Sequence, residues 1–113
     1  MIYIMRLDKE YFDLVVLGKK KIEIRLNDSK RKLISEGDFI RFLNRYNELE
    51  SIDVVIDELK ISNSFKNVLN DTSSSFLGWS NLSTAEMLKK LYKIYNSKDE
   101  YSLGVLRISF HVI

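Results

Sequence analysis

The chain has 113 residues, 45% apolar and 30% charged, with a formal net charge of +2. That is one domain's worth of sequence, and the balance excludes both intrinsic disorder and a helical membrane protein: apolar runs such as Leu14-Val15-Val16-Leu17 fall far short of the roughly 20 residues a bilayer span needs. There is no cysteine and one histidine, His111, so disulfides, thiolate catalysis and multi-histidine metal sites are excluded as well.

The opening residues IYIMRL alternate loosely and predict a strand. Asp8 and Glu10 stand where a secretory leader would continue apolar, which points to a cytoplasmic location. Asp8 also predicts a helix over 9–17, its carboxylate accepting from the free amides of the first turn, with Phe12, Val15 and Val16 on one face. Gly18 stands where a left-handed residue would end that helix. Residues 20–26 alternate as a strand, Ile22, Ile24 and Leu26 on one face and Lys21, Glu23 and Arg25 on the other. The turn NDSK leads to a short helical turn at 29–34, and the turn Glu36-Gly37-Asp38 to strands at 39–44 and 52–61, joined by a polar hairpin loop.

Ser64 predicts the cap of a short helix through Leu69. Residues 70–81 are loop-like, with Phe76, Leu77 and Trp79 pinning them to the body. The capping box Ser83-Thr84-Ala85-Glu86 starts a helix over about 84–96, with Met87, Leu91, Ile94 and Tyr95 as a core stripe, and 103–112 reads as the last strand. Over a single domain, 1–113, this order predicts an α+β fold: about five strands curled into a small mixed β-barrel with two to three flanking helices.

Charge is unevenly placed: residues 18–32 hold seven of the eighteen basic residues but two of the sixteen acidic ones. A positive segment on a mildly acidic body points to a local anionic partner. A solvated strand face would look similar, and an exposed Glu–Arg pair contributes only about 0–1 kcal/mol. Three details favour a site wall. The helix end and strand start meet at Gly18, where backbone amides could receive an anion; Glu23 lies between cations it can hold in place; and Lys30, Arg31 and Lys32 could fold back beside the strand.

The spacing Gly18-x-Lys20-x-x-Glu23-x-Arg25 resembles the GxKxxExR signature of the ASCH domain family, small β-barrels of PUA-like fold. The resemblance runs along the whole chain, through the NDSKR turn at 27–31, the Glu36-Gly37-Asp38 turn and Asn44, Ser64-Phe65, Leu77-Gly78, Tyr95 and Gly104-Val105. It implies a cationic cleft for RNA, a nucleotide or a nucleoside, with Lys20, Glu23 and Arg25 as ligand-binding residues, Lys30 and Arg31 steering the ligand, and Ser64 and Tyr95 lining the cleft. No cofactor and no metal is expected. Strict alternation would put Lys20 on the Ile22 face, so regular strand is expected to begin at 21 or 22, leaving Lys20 free to turn into the cleft.

The alternative is a hydrolase, either a ribonuclease or an amidohydrolase. Some members of the family resemble enzymes that deacylate N4-acetylcytidine with a lysine, a threonine two residues before the motif arginine and a loop glutamate. Here the lysine is Lys20, Glu23 stands at the threonine position and Ser80 at about that of the glutamate, so Lys20 and Glu23 would be catalytic only if the protein is an enzyme. A lysine acting as a base near pH 7 must lose about three pKa units from about 10.4, or about 4 kcal/mol, whereas one binding phosphate needs no shift. A third reading is a protein-interaction module whose basic strand meets an acidic partner. Asp53, Asp57 and Glu58 suggest at most a weak hard-cation site, His111 a structural histidine, and Trp79 with Phe76 either a base-stacking surface or loop anchors.

Overall fold

The computed structural model describes residues 1–113. Its elements are β1 (Ile2–Leu7), α1 (Lys9–Val16), β2 (Ile22–Leu26), β3 (Phe39–Asn44), β4 (Asn47–Ser62), α2 (Phe65–Asn70), α3 (Thr84–Leu91), α4 (Ser97–Leu103) and β5 (Val105–Val112), with 3-10 turns at Arg31–Leu33 and Ser74–Leu77. The strands form one mixed sheet in the order β1-β3-β4-β5-β2. Only the β1–β3 pair is parallel. This is the expected α+β architecture of five curled strands, with four helices rather than two or three.

The curl is built into β4. It pairs with β3 up to Val55 and with β5 from Val54 onward, and its register against β5 shifts between Ile56 and Glu58. An extra residue on one strand bends it and increases its twist, so a 16-residue strand can serve both neighbours. The sheet therefore rolls toward closure but leaves β1 and β2 as edges. Across that seam Arg25 Nη2 donates to the Arg6 carbonyl at 3.0 Å.

Apolar side chains bury in two clusters. The first, including Ile40, Phe42, Val54 and Ile108, packs the curled sheet against Phe12 and Val15 of α1. The second joins Ile22 and Ile24 of β2 to Phe65, Leu69, Met87 and Leu91 of α2 and α3. The seam lies between the two.

Several boundaries depart from the sequence expectation. Helix α3 stops at Leu91 rather than continuing to 96, so Ile94 is exposed and Tyr95 sits in the following turn. A separate helix, α4, occupies Ser97–Leu103, because the Asn96 side chain accepts from the Asp99 amide at 2.8 Å and restarts the chain. β5 then begins at Val105 rather than 103. β4 begins at Asn47, five residues early, where NELES is exposed and shows no alternation to read. Val16 points to solvent, and the Asp8 side chain makes no cap hydrogen bond although Asp8 occupies the N-cap position of α1.

Glu100 ties the second cluster together. Buried at α4, it accepts from the Phe65 amide and from the Tyr92 hydroxyl, both at 2.7 Å. The latter bond, with some burial, pushes the Tyr92 phenol up to about 12. Glu100→Ala is expected to lower the unfolding free energy by about 1.5–3 kcal/mol, the worth of charge-assisted bonds that leave a buried amide unpaired. Urea denaturation would register this as a lower midpoint with an unchanged slope.

Candidate functional site

A cleft of about 200 Å³ opens at the seam. Four cations line it (Arg6, Lys20, Arg25 and Arg45) against two carboxylates, Asp8 and Glu23, while Tyr11, Trp79 and Tyr95 supply aromatic wall.

Strand β2 begins at Ile22, and its alternation sends Ile22 and Ile24 into the second cluster. Lys20 precedes the strand, is 5% exposed, and turns inward. Its Nζ donates to the Ile22 carbonyl at 2.7 Å and the Leu77 carbonyl at 2.9 Å, and stands 3.1 Å from Glu23 Oε1. An ammonium has three N–H groups, and three acceptors surround this one. Lys21, by contrast, is exposed and lies over the Phe76 ring at 5.3 Å from its centroid.

The Leu77 carbonyl reaches Lys20 because the chain turns sharply at Gly78, whose φ is +87°. A Cβ there would sit 3.0 Å from Leu14 Cδ1 and 3.3 Å from Tyr11, so neither the backbone angle nor the space admits a side chain easily. Trp79 follows and is fixed by its indole N–H, which donates to the Tyr11 hydroxyl at 2.7 Å.

Glu23 sits between the two cations. Its Oε2 accepts from Arg25 Nε at 2.7 Å while Oε1 faces Lys20. Burial is the largest single influence on its carboxyl and raises it, but Lys20 and Arg25 together outweigh burial and hold it below the usual carboxylate range. For Arg25, desolvation opposes the charged form, and Glu23 together with Tyr95 and Asp28 more than restores it, so its pKa rises. Its hydrogen bonds use Nε and Nη2, leaving Nη1 for a ligand. Tyr95 stacks on Phe65 with ring centroids 5.4 Å apart, and burial raises its phenol.

The remaining sequence candidates fall elsewhere. Ser64 is not in the cleft: its hydroxyl accepts from the Asn67 amide at 3.1 Å as the cap of α2. The amides after Gly18 are not open to an anion either, since those of Lys19 and Lys20 donate to the Leu14 carbonyl and that of Lys21 to Phe76. Lys30 and Arg31 lie outside the cleft, in an adjoining groove. Asp53 is forked by Arg41, Glu58 meets Arg107 at 2.9 Å and Asp57 meets His111 at 2.7 Å, so each of these acids faces a basic side chain.

Sequence reasoning missed Arg6, Asp8 and Arg45. Arg6 and Asp8 lie at the end of β1 and Arg45 just beyond β3, and the parallel pairing of those strands brings the ends together. Asp8 Oδ1 is buried without a hydrogen bond and lies 3.3 Å from Arg45 Nη1. No local signal marks this juxtaposition, which depends on residues nearly forty positions apart.

A family model described as ASCH domain matches residues 5–110. No curated protein matches the chain. Among solved structures, the hypothetical protein PH0355 is 32% identical with a TM-score of 0.88, covering 100% of both chains. Protein PF0455 from Pyrococcus furiosus is 29% identical with a TM-score of 0.75, covering 100% of this chain and 98% of its own. An ASCH domain from Lactobacillus crispatus, 14% identical, shares the fold with a TM-score of 0.70 over 98% of this chain and 79% of its own.

Proposed function

This chain belongs to the ASCH domain family, a family of PUA-like fold often linked to RNA binding, and from that premise we propose that it binds a nucleotide unit of RNA in the seam cleft. The observation that carries the reading is the buried Lys20–Glu23 pair, continued by the part-buried Arg25, facing a small cleft with an excess of cations. Burying two charges and part of a third costs desolvation that their mutual attraction seldom repays in stability, so a ligand accounts for them better than the fold does. Ligand pockets commonly run from about 300 to 1,000 Å³, and a cleft of about 200 Å³ suits a base or a sugar with its phosphate.

Each residue then has a task. Arg25 offers its free guanidinium edge to phosphate or to a base edge; Lys20 supplies fixed positive charge; Glu23 holds both cations in place. Trp79 and Tyr95 flank the space where a base would lie. A cytoplasmic location fits this reading, and no helix is long and apolar enough to cross a membrane.

Binding is favoured over hydrolysis by Lys20 itself. A base or nucleophile needs a free lone pair on nitrogen, and this nitrogen is committed to two carbonyls and a carboxylate. Lys20→Ala is expected to weaken RNA binding about tenfold or more, because it removes the fixed positive charge of the cleft wall and leaves Glu23 to Arg25 alone, while Lys21→Ala leaves it within about twofold. Isothermal titration with both variants checks this, with circular dichroism to confirm folding. The reverse ranking would move the site. Lys20-dependent cleavage of RNA or of N4-acetylcytidine would put the hydrolase first.

A further inference from the structure

Resting on that reading, we infer that the ligand is single-stranded RNA whose backbone leaves the cleft along a basic groove on the free edge of β1, and not an isolated nucleotide or nucleoside. The groove, about 580 Å³, is lined by the cations Arg6, Arg25, Lys30, Arg31 and Arg45; four of them are held by carboxylates outside that lining, Arg6 by Glu48 at 2.8 Å, Arg25 by Glu23 at 2.7 Å, Arg31 by Asp28 at 2.9 Å and Arg45 by Asp8 at 3.3 Å, and Lys30 is unpaired. Three of these, Arg6, Arg25 and Arg45, also line the cleft, so the two spaces adjoin at the Arg25 bridge between β2 and β1.

The far wall of the groove is held in place. Asp28 accepts from the Arg31 backbone amide at 3.0 Å and from its Nη1 at 2.9 Å, fixing the guanidinium. The Tyr3 hydroxyl donates to the Leu33 carbonyl at 3.0 Å, fastening the turn that carries Arg31 to β1. Lys30 forms no ion pair and is exposed. On the floor β1 pairs with β3 alone, and Ile2 and Ile4 lie exposed beside these cations.

Guanidinium groups fixed by acids that stand outside the groove lining, together with the unpaired Lys30, present their remaining N–H edges to successive phosphates, and apolar surface between them matches the sugar and base faces of an unpaired strand. A cleft of about 200 Å³ admits one unstacked base, which a duplex does not present. The charge also disfavours a peptide strand paired to the β1 edge, unless that peptide were strongly acidic.

The test uses nucleoside monophosphates and mixed-sequence single-stranded oligoribonucleotides of increasing length, titrated by fluorescence anisotropy or calorimetry at several salt concentrations. In the wild-type chain affinity should rise with length up to about four nucleotides, and the slope of log affinity against log salt should steepen by about 0.7 per phosphate engaged, reaching about −3. In the double variant Lys30→Ala with Arg31→Ala, both the rise and the steepening should flatten. Equal affinity at all lengths, with monophosphate still bound, would overturn the groove and leave the cleft reading standing. So would displacement of the oligonucleotide by polyglutamate, or equally tight binding of a blunt RNA duplex. Failure of any nucleotide to bind would overturn both readings.

Discussion

Glu23→Ala is expected to lower the unfolding free energy at neutral pH by about 3–5 kcal/mol, because it leaves two cations at the edge of the core without their shared anion. Lys20 is 5% exposed and Glu23 8% exposed, so water entering from the cleft replaces the lost partner only in part. The same interaction predicts a pH dependence. In the folded chain the Glu23 carboxyl lies below its usual value of about 4.5, so the unfolded chain takes up a proton first as the medium acidifies. The stabilisation is therefore fully present above about pH 4.5 and is lost as pH falls through the lower folded value. Urea midpoints for wild type and Glu23→Gln should differ most near neutrality and converge in acid. A gap that stayed constant down to pH 2 would mean that the carboxylate is not what holds Lys20 and Arg25.

The cost of that arrangement explains why this part of the chain could be read in advance and other parts could not. Gly18, Lys20, Glu23 and Arg25 lie within eight residues, and their geometry follows from one local event, a helix stop followed by a strand starting at Ile22. Spacing in the sequence is then nearly spacing in the molecule. Asp8 and Arg45 meet only because β1 and β3 run parallel, and the groove cations Lys30 and Arg31 stand beside β1 only because Tyr3 and Leu33 hydrogen-bond. Neither pairing leaves a periodicity in the sequence. Ser64 shows the opposite case: its position at a helix start was legible, and the structure uses its hydroxyl as the cap of α2, away from the cleft. The end of α3 was misread because the apolar stripe continues through Ile94 and Tyr95, whereas the Asn96 cap restarts the helix and turns Tyr95 into the cleft wall. The capping signal in Asn96-Ser97-Lys98-Asp99 competed with periodicity and won, since a side-chain cap satisfies amides that a continuous stripe does not require.

Arg25→Lys should separate charge from shape at the point where cleft and groove meet. The substitution keeps the positive charge, and if the site acted only through its field, RNA affinity would stay within about twofold. The guanidinium, however, spends Nε on Glu23 and Nη2 on the Arg6 carbonyl, on opposite sides of the seam, and still has an edge left over. A lysine ammonium is a single point at the end of a flexible stem and cannot span Glu23, the Arg6 carbonyl and a phosphate from one plane. The one charge-assisted bond from that remaining edge to the ligand, about 1.5–3 kcal/mol, is at risk, so affinity should fall about tenfold to a hundredfold. The stability loss should be smaller than for Glu23→Ala, because a lysine at 25 can still neutralise the carboxylate. A calorimetric titration alongside a denaturation curve reads the two effects separately. Loss of binding with modest loss of stability assigns the Arg25 fork to the ligand; equal losses in both would make Arg25 a clasp between β1 and β2 and leave the cleft without its central contact.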